Sequence, residues 1–234
     1  MGSPHCPKKY HYQYVLGIPG EKKTYFELGT ITHSVIEHLT RKMKNGEVAT
    51  LEEGLSILNE LWRASTYESK DKERPDRETA EKMIDDFLKR QATKEGQIIE
   101  IEKRIEIDLD GRKIAGKVDR IDDMGETLEV IDYKTSKNET SRPKLKQDYQ
   151  MTLYSIGAEQ AIGKPVGHVG HWYLRKDKPW MIKLTEVERN AVLERAREVI
   201  RKVEEKEYRA TPKFDVCKFC DYGDLCEDLS LIHI

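Results

Sequence analysis

The spacing of hydrophobic positions changes along the chain, and each change marks a different predicted element. From Tyr25 to Lys44 apolar residues recur three or four positions apart, as they do on one face of a helix. The same spacing predicts two further helices over 51–62 and 76–92, joined by a charged loop over 68–75. The first third of the chain is therefore expected to be helical.

In the middle of the chain the apolar spacing falls to two, the period of a strand that buries one face. We predict strands over 98–109, 113–121 and 128–135. Asp110-Gly111 is a typical hairpin turn between the first two strands. A bulge is expected near Lys103, where the alternation changes phase.

After the third strand the pattern returns to a mixture of helix and strand. It predicts a helix over 144–162, a strand over 168–175, an edge strand over 180–184 and a long helix over 186–206. Helices, three strands, a helix and a further strand are the order of an α/β fold, with a mixed central sheet flanked by helices.

Length and composition allow one domain with a sizeable core and limit the ways it could bind a partner. The chain has 234 residues, 36% of them charged, and a net charge of −2. It therefore has no overall attraction to nucleic acid, and DNA binding would depend on local basic clusters. The candidates are Arg41–Lys44, Arg142–Lys146 and Arg175–Lys178, of which the second directly follows the third strand.

No targeting or membrane-spanning segment can be recognised in the sequence. The N-terminus lacks the apolar stretch of a signal peptide, and no run of about eighteen apolar residues suggests a membrane span. The protein is expected to be cytoplasmic, where thiols stay reduced and disulfides are rare.

The four cysteines form one pattern. Cys217, Cys220 and Cys226 are spaced C-x2-C-x5-C near the C-terminus, and Cys6 stands alone near the N-terminus. Three thiolates need a fourth ligand, which favours a single four-cysteine site that joins the two chain ends. Such sites hold zinc or an iron–sulfur cluster, and the spacing does not decide between them.

A second group of polar residues interrupts the third predicted strand. Asp132 and Lys134 project from one face of that strand, and Asp119 can add a carboxylate from the preceding strand. Such groups are costly to bury unless a metal, a counter-charge or hydrogen bonds compensate them. Two carboxylates and a lysine suit phosphodiester cleavage assisted by a hard cation.

These residues resemble a known signature. Asp119 with Asp132-Tyr133-Lys134 is similar to the D…(D/E)xK motif of the PD-(D/E)XK nuclease superfamily. The segments Gly29–Glu37 and Gln150–Tyr154, together with the cysteines, resemble its RecB/AddB-type branch over Cys6 to Cys226. The resemblance implies a restriction-endonuclease-like α/β core with a helical insertion and a C-terminal cluster-binding segment.

The resemblance also implies a role for each residue of the motif. The carboxylates of Asp119 and Asp132, the backbone carbonyl of Tyr133 and a ring nitrogen of His33 would bind Mg²⁺ or Mn²⁺. Lys134 would position the attacking water and offset charge on the phosphate.

Three further side chains and the cysteines complete the expected site. Glu37 would orient His33 or contact the metal through water, and Gln150 and Tyr154 would lie beside the site and help to hold the DNA strand. The resemblance favours a 4Fe-4S cluster over zinc, with four ligands: Cys6, Cys217, Cys220 and Cys226.

The expected organisation is a single nuclease domain over 1–228. A helical lobe would occupy about 47–95, a catalytic core about 96–176, and a C-terminal helix with the cluster segment about 185–228. The tail over 229–234 is of doubtful origin.

The leading functional prediction is a metal-dependent DNA exonuclease that acts on single-stranded or resected DNA ends in repair and recombination, with a helicase as partner. One alternative keeps the fold and chemistry in a CRISPR-associated nuclease that trims prespacers beside an adaptation partner. Another is a DNA-binding iron–sulfur module without catalysis. The intact set Asp119, Asp132 and Lys134 argues against this last alternative.

Overall fold

The computed structural model describes residues 6–20, 25–63 and 70–228. They fall into two compact units: a larger one over 25–193, and a smaller one that combines 6–20 with 194–228. The predicted tail over 229–234 lies outside the described residues, as does the start of the predicted loop over 68–75.

A five-stranded mixed sheet forms the centre of the larger unit. Its strands are β1 (Gln97–Leu109), β2 (Arg112–Asp123), β3 (Leu128–Lys134), β4 (Val166–Tyr173) and β5 (Lys178–Ile182), and they lie in that order. Only the β3–β4 pair is parallel, and the other pairs are antiparallel. The predicted α/β fold class is confirmed.

Helices flank this sheet and also occur in the smaller unit. In chain order the described α-helices are α1 (Pro7–Tyr10), α2 (Tyr25–Lys44), α3 (Leu51–Arg63), α4 (Lys70–Gln91), α5 (Arg142–Leu145), α6 (Tyr149–Ile162), α7 (Glu186–Glu204) and α8 (Phe214–Cys217). No helix of the described ranges is long and apolar enough to cross a membrane.

Strand β3 is covered on both faces. Its side chains point alternately to the two faces and so contribute to two separate hydrophobic clusters. Ile131 and Tyr133 belong to the cluster built with helices α2, α3 and α4. Val130, one position away, belongs to the opposite cluster, which includes Met151 and Ala158 of α6. Asp132 shares its face with Val130, so a carboxylate lies on an otherwise apolar surface.

The hairpin between β1 and β2 forms where it was predicted, but the bulge does not. Asp110 and Gly111 both have positive φ, 56° and 80°, as a tight hairpin turn requires. The register shift lies between Ile98 and Glu100, rather than near Lys103. At the predicted position the backbone irregularity is a positive φ of 52° at Glu102, and the Lys103 ammonium donates to Glu100 at 2.7 Å.

Two predicted helix boundaries are wrong. Helix α4 begins at Lys70, so the described part of the predicted loop is helical and Pro75 lies inside the helix. The helix predicted over 144–162 is two helices, because Asp148 interrupts it and caps α6 by accepting the Gln150 N–H at 2.7 Å.

Candidate active site

The β2–β3 hairpin brings the two predicted carboxylates together. Its ladder ends one residue short of Asp119 on β2 and of Asp132 on β3. The N–H of Tyr133 donates to Asp119 Oδ2 at 2.8 Å. From α2, His33 places Nδ1 3.7 Å from the same oxygen. Asp119 therefore contacts two residues that were predicted to supply metal ligands, although the contact with Tyr133 uses its N–H and not the predicted carbonyl.

Asp132 is buried, and its two oxygens have different surroundings. Oδ1 accepts a hydrogen bond from Gln150 Nε2 at 2.8 Å. Oδ2 lies 2.5 Å from Lys134 Nζ and 3.8 Å from His171 Nε2. Neither contact has hydrogen-bond geometry, so Oδ2 has no such partner among the described residues. The Lys134 ammonium offsets the cost of burying this charge, and an oxygen that accepts no directed hydrogen bond is a suitable ligand for a cation.

Gln150 links the carboxylate to the rest of the predicted site. It lies in the first turn of α6, where Asp148 fixes the start of the helix. Its amide also donates to the Tyr154 hydroxyl at 2.8 Å, and its Oε1 accepts from Lys134 Nζ at 3.4 Å. The side chain thus contacts Asp132, Lys134 and Tyr154 together.

Tyr154 lies against β2 at a position without a side chain. A Cβ at Gly116 would lie 2.9 Å from Tyr154 Cε1, so the glycine leaves room for the ring. Burial raises the pKa of Tyr154 to about 12, which keeps the hydroxyl protonated.

Glu37 is the predicted site residue that the structure does not join to the others. Its Oε1 accepts hydrogen bonds from Arg41 at 2.7 and 3.0 Å, one helical turn further along α2. No hydrogen bond connects it to His33 within the described part of the chain. A role for Glu37 at the site, like the carbonyl of Tyr133 as a metal ligand, stays a prediction.

Two residues that the sequence did not single out also lie at the site. His171 of β4 is paired with Asp132 in the parallel ladder. Glu102 of β1 has a positive φ of 52°, which is rare for a residue with a side chain, and forms an ion pair with Lys117. The negative charge of Glu102 contributes to the raised pKa of Asp119. The sequence predicted an irregularity of the strand near the adjacent Lys103, but it gave no indication that Glu102 lies at the site.

Burial sets the protonation of the site. It raises the pKa of Asp119 to about 7, with a further contribution from the charge of Asp132. It lowers the pKa of His33, and it lowers that of His171 to about 4 with help from the Lys134 ammonium. Poorly solvated carboxylates beside neutral imidazoles fit a divalent cation in charge and ligand type. In the described ranges, however, no three His, Cys, Asp or Glu side chains are already gathered closely enough to share one metal ion.

The raised pKa of Asp119 predicts a stability gain in the variant Asp119→Asn. Its carboxyl titrates near 3.8 when unfolded and near 7 when folded, so the wild-type protein loses stability as the pH rises from about 4 through about 7. Asparagine carries no charge and can still accept the Tyr133 N–H. In EDTA at pH 8 the variant should be more stable by up to about 4 kcal/mol, and the difference should shrink toward pH 4.

Urea unfolding at both pH values measures this difference. Asp123→Asn is the matched control, since Asp123 lies on the same strand but its pKa is lowered by a hydrogen bond from Lys164. This control should gain no stability at pH 8. An Asp119→Asn protein that is less stable than wild type at pH 8 would contradict the prediction.

The smaller unit gathers all four cysteines. They line one cavity of about 70 Å³, and each has a free thiol. Backbone N–H groups of Thr211 and Lys213 donate to the sulfurs of Cys6 and Cys217, both at 3.3 Å. Burial raises the pKa of the Cys226 thiol. The four thiols are of a type that binds soft metals, and they share one cavity, but they do not yet lie close enough together to ligate one ion.

Hydrogen bonds from two tyrosines, and the ion pair between Lys9 and Asp221, connect residues 6–20 with residues 194–228 in this unit. Tyr12 donates to the carbonyl of Leu225 at 2.7 Å, and Tyr222 donates to the carbonyl of Ile18 at 2.9 Å. The N- and C-terminal cysteines are therefore held at one cavity by contacts that involve no sulfur.

Comparisons with known proteins show which proteins this chain resembles. The chain is 26% identical over 132 residues to the Gene 69 protein of Mycobacterium phage L5, and 27% identical over 134 residues to that of phage D29. Each match covers 54% of this chain, but only 43% and 47% of those relatives, so the chain spans less than half of their length.

The fold resembles a crystal structure of a putative exonuclease from Eubacterium rectale. The TM-score is 0.54 at 15% identity, over 97% of this chain and 86% of that one. The family model of the PD-(D/E)XK nuclease superfamily matches residues 4–227. Because that match covers nearly the whole chain, the protein belongs to the PD-(D/E)XK nuclease superfamily.

Proposed function

We propose that this protein is a divalent-metal-dependent deoxyribonuclease that hydrolyses phosphodiester bonds at DNA ends, as an exonuclease in repair or recombination. The observation that carries the proposal is the buried Oδ2 of Asp132, which is ion-paired with Lys134 and has no hydrogen-bond partner among the described residues. Asp119 lies on the neighbouring strand, at the same end of the β2–β3 ladder. Membership of a nuclease superfamily and the fold of the Eubacterium rectale protein support it.

The metal would be Mg²⁺ or Mn²⁺, held by Asp119, Asp132, His33 and the carbonyl of Tyr133. A hard divalent cation at such a site supplies an acidified water and offsets phosphate charge. Asp119 would bind it as a carboxylate, since a nearby cation favours the ionised form. His33 would bind it as a neutral imidazole, which its lowered pKa favours.

The other side chains would act on the substrate and on the carboxylate. Lys134 is 27% exposed and lies at the end of β3, so its ammonium can reach a phosphate while its backbone stays in the sheet. There it would stabilise the charge that grows on the phosphate oxygens. Gln150 would keep Asp132 in position through Oδ1, and its bond to Tyr154 would keep the amide in the required orientation.

The DNA strand would be bound by basic residues that follow β3 and β4. The guanidinium of Arg142 and the ammonium of Lys178 lie 5.7 and 4.5 Å from the centre of the Trp180 ring. Lys178 also pairs with Glu139, and this contact is exposed. Exposed ion pairs contribute little stability, so a phosphate could replace Glu139 at small cost. In the remaining basic cluster, Arg41–Lys44, the Arg41 guanidinium forms an ion pair with Glu37 on α2.

The four cysteines would hold a 4Fe-4S cluster, with zinc as the alternative. Their shared cavity and the N–H groups that point at two of the sulfurs support thiolate ligation. A cluster of this kind would place the chain in the RecB/AddB-type branch of the superfamily. Its role would be to join the early and late segments of the chain, rather than to take part in hydrolysis.

Cleavage assays test the proposed activity. The purified protein is incubated with single-stranded and duplex DNA, labelled at the 5′ or the 3′ end, in Mg²⁺, Mn²⁺ or EDTA. We expect cleavage with either metal and none in EDTA, and release of the label as mononucleotides or short fragments from one end. Failure to cleave any substrate with either metal, by protein with a cooperative melting transition, would overturn the proposal.

A further inference from the structure

His171 is a buried imidazole with no role in the chemistry described so far. It is 4% exposed and is paired with Asp132 across the parallel β3–β4 ladder. Its Nε2 lies 3.8 Å from Asp132 Oδ2. Both atoms are buried, and neither has a hydrogen-bond partner among the described residues. Two buried polar atoms that face each other in this way require an explanation.

The neighbours of His171 determine which of its nitrogens carries the proton. The N–H of Thr140 donates to the hydroxyl oxygen of Tyr173 at 2.7 Å. That oxygen lies 3.1 Å from His171 Nδ1, and because it already accepts from Thr140, the arrangement favours donation of the hydroxyl proton to the imidazole. Nδ1 is then the acceptor, and the proton of the neutral ring lies on Nε2. The other tautomer would turn the Nε2 lone pair toward a carboxylate oxygen, which is repulsive.

We propose that His171 is a positioning residue, whose Nε2–H orients Asp132 Oδ2 for the divalent cation through the series Thr140, Tyr173, His171 and Asp132. The part that concerns the cation rests on the proposed function. A movement of about 0.7 Å would bring Nε2 within hydrogen-bond range of Oδ2. With Gln150 on Oδ1 and His171 on Oδ2, both oxygens of the carboxylate have a donor and its plane is fixed.

His171 is needed because Lys134, the other group beside Asp132 Oδ2, would also have to contact the phosphate. Lys134 lies 2.5 Å from this oxygen, but it would turn to the phosphate when DNA binds. His171 is then the donor that stays beside Oδ2. It is held in a strand and is buried, so it keeps its place in both states. Donors that orient metal-binding side chains in this way typically change metal affinity 10- to 100-fold when they are removed.

A pair of amide variants separates this role from simple packing. His171→Gln places its N–H₂ near the position of Nε2, facing Asp132, whereas His171→Asn places it near Nδ1, facing Tyr173. Calorimetry with Mn²⁺, in the absence of DNA, should show affinity close to wild type for His171→Gln. For His171→Asn it should be weaker by about 10- to 100-fold. In cleavage assays at fixed Mn²⁺ the asparagine variant should lose kcat, with KM for DNA unchanged.

Melting curves of both variants provide the structural control. Equal loss of Mn²⁺ affinity in the two variants, or equal retention, would overturn the proposal. If Mn²⁺ binding follows the expected order but no variant and no wild-type protein cleaves DNA, the positioning role stands and the nuclease proposal fails.

The tautomer can be measured without any variant. Long-range ¹H–¹⁵N correlation spectra of the metal-free wild-type protein distinguish protonation at Nε2 from protonation at Nδ1. We expect His171 in the Nε2–H form. The Nδ1–H form would overturn the proposal even if neither variant folds.

Discussion

Replacement of Lys134 by alanine is expected to lower the cleavage rate by about 10²- to 10³-fold, while DNA affinity changes little. The ammonium lies 2.5 Å from Asp132 Oδ2, and Lys134 is the last residue of strand β3. Its loss removes charge that stabilises the reacting phosphate, but it leaves the proposed DNA-binding surface at Arg142 and Lys178 intact. Single-turnover cleavage and fluorescence anisotropy measure the two quantities separately.

The matched control for this variant is Lys113→Ala. Lys113 lies on the neighbouring strand β2, near the hairpin turn, and its ammonium pairs with Glu106 at 2.8 Å in an exposed contact. It has the same charge and also pairs with a carboxylate, but it is exposed and lies near the hairpin turn, away from the site. Cleavage by this control should match wild type. A wild-type rate in Lys134→Ala would show that β3 does not carry the catalytic lysine.

Replacement of Cys6 by serine is expected to abolish binding of the cluster and to destabilise the protein by several kcal/mol. Cys6 is the one cysteine of the early segment, so it supplies the only sulfur that can connect this segment to Cys217, Cys220 and Cys226. Elemental analysis for iron and zinc, visible absorbance and thermal melting measure the loss. The metal content of the wild-type protein also decides between the 4Fe-4S cluster and zinc.

Tyr12→Phe is the control for contacts that do not involve sulfur. It removes the hydrogen bond to the Leu225 carbonyl but keeps all four cysteines. We expect a cost of about 1 kcal/mol and unchanged metal content. Intact colour and an unchanged melting temperature in Cys6→Ser would contradict the proposed four-cysteine site.

Local patterns predicted the sheet and the faces of its strands well, because each depended on residues close together in sequence. The alternation of β3 placed Asp132 and Lys134 on one face, opposite Tyr133, and the burial of the strand agrees. The Asp110-Gly111 pair predicted a turn with positive φ at both positions. Periodicity also gave helix α2 its correct ends.

The features that sequence reasoning missed depend on contacts between distant segments, or on a residue that the structure accepts where it is usually disfavoured. Pro75 was taken as a helix boundary, but α4 accepts it and begins at Lys70 with acidic residues in its first turn, which favour a helix start. His171 could be placed on a strand, yet its pairing with Asp132 follows from the parallel ladder and not from any local pattern.

The ion pair between Lys9 and Asp221 joins residues 212 positions apart, and the four thiols span a similar separation. During synthesis the larger unit therefore has all of its strands and their partners before the ribosome reaches the final thiol. Domains generally fold as their residues emerge from the ribosome. The sheet can therefore form before the late segment, which contains Asp221 and the last three cysteines, has been synthesised. Under the proposed four-cysteine site, delivery of the metal would be the last step of maturation, and it would join the early segment to the late one.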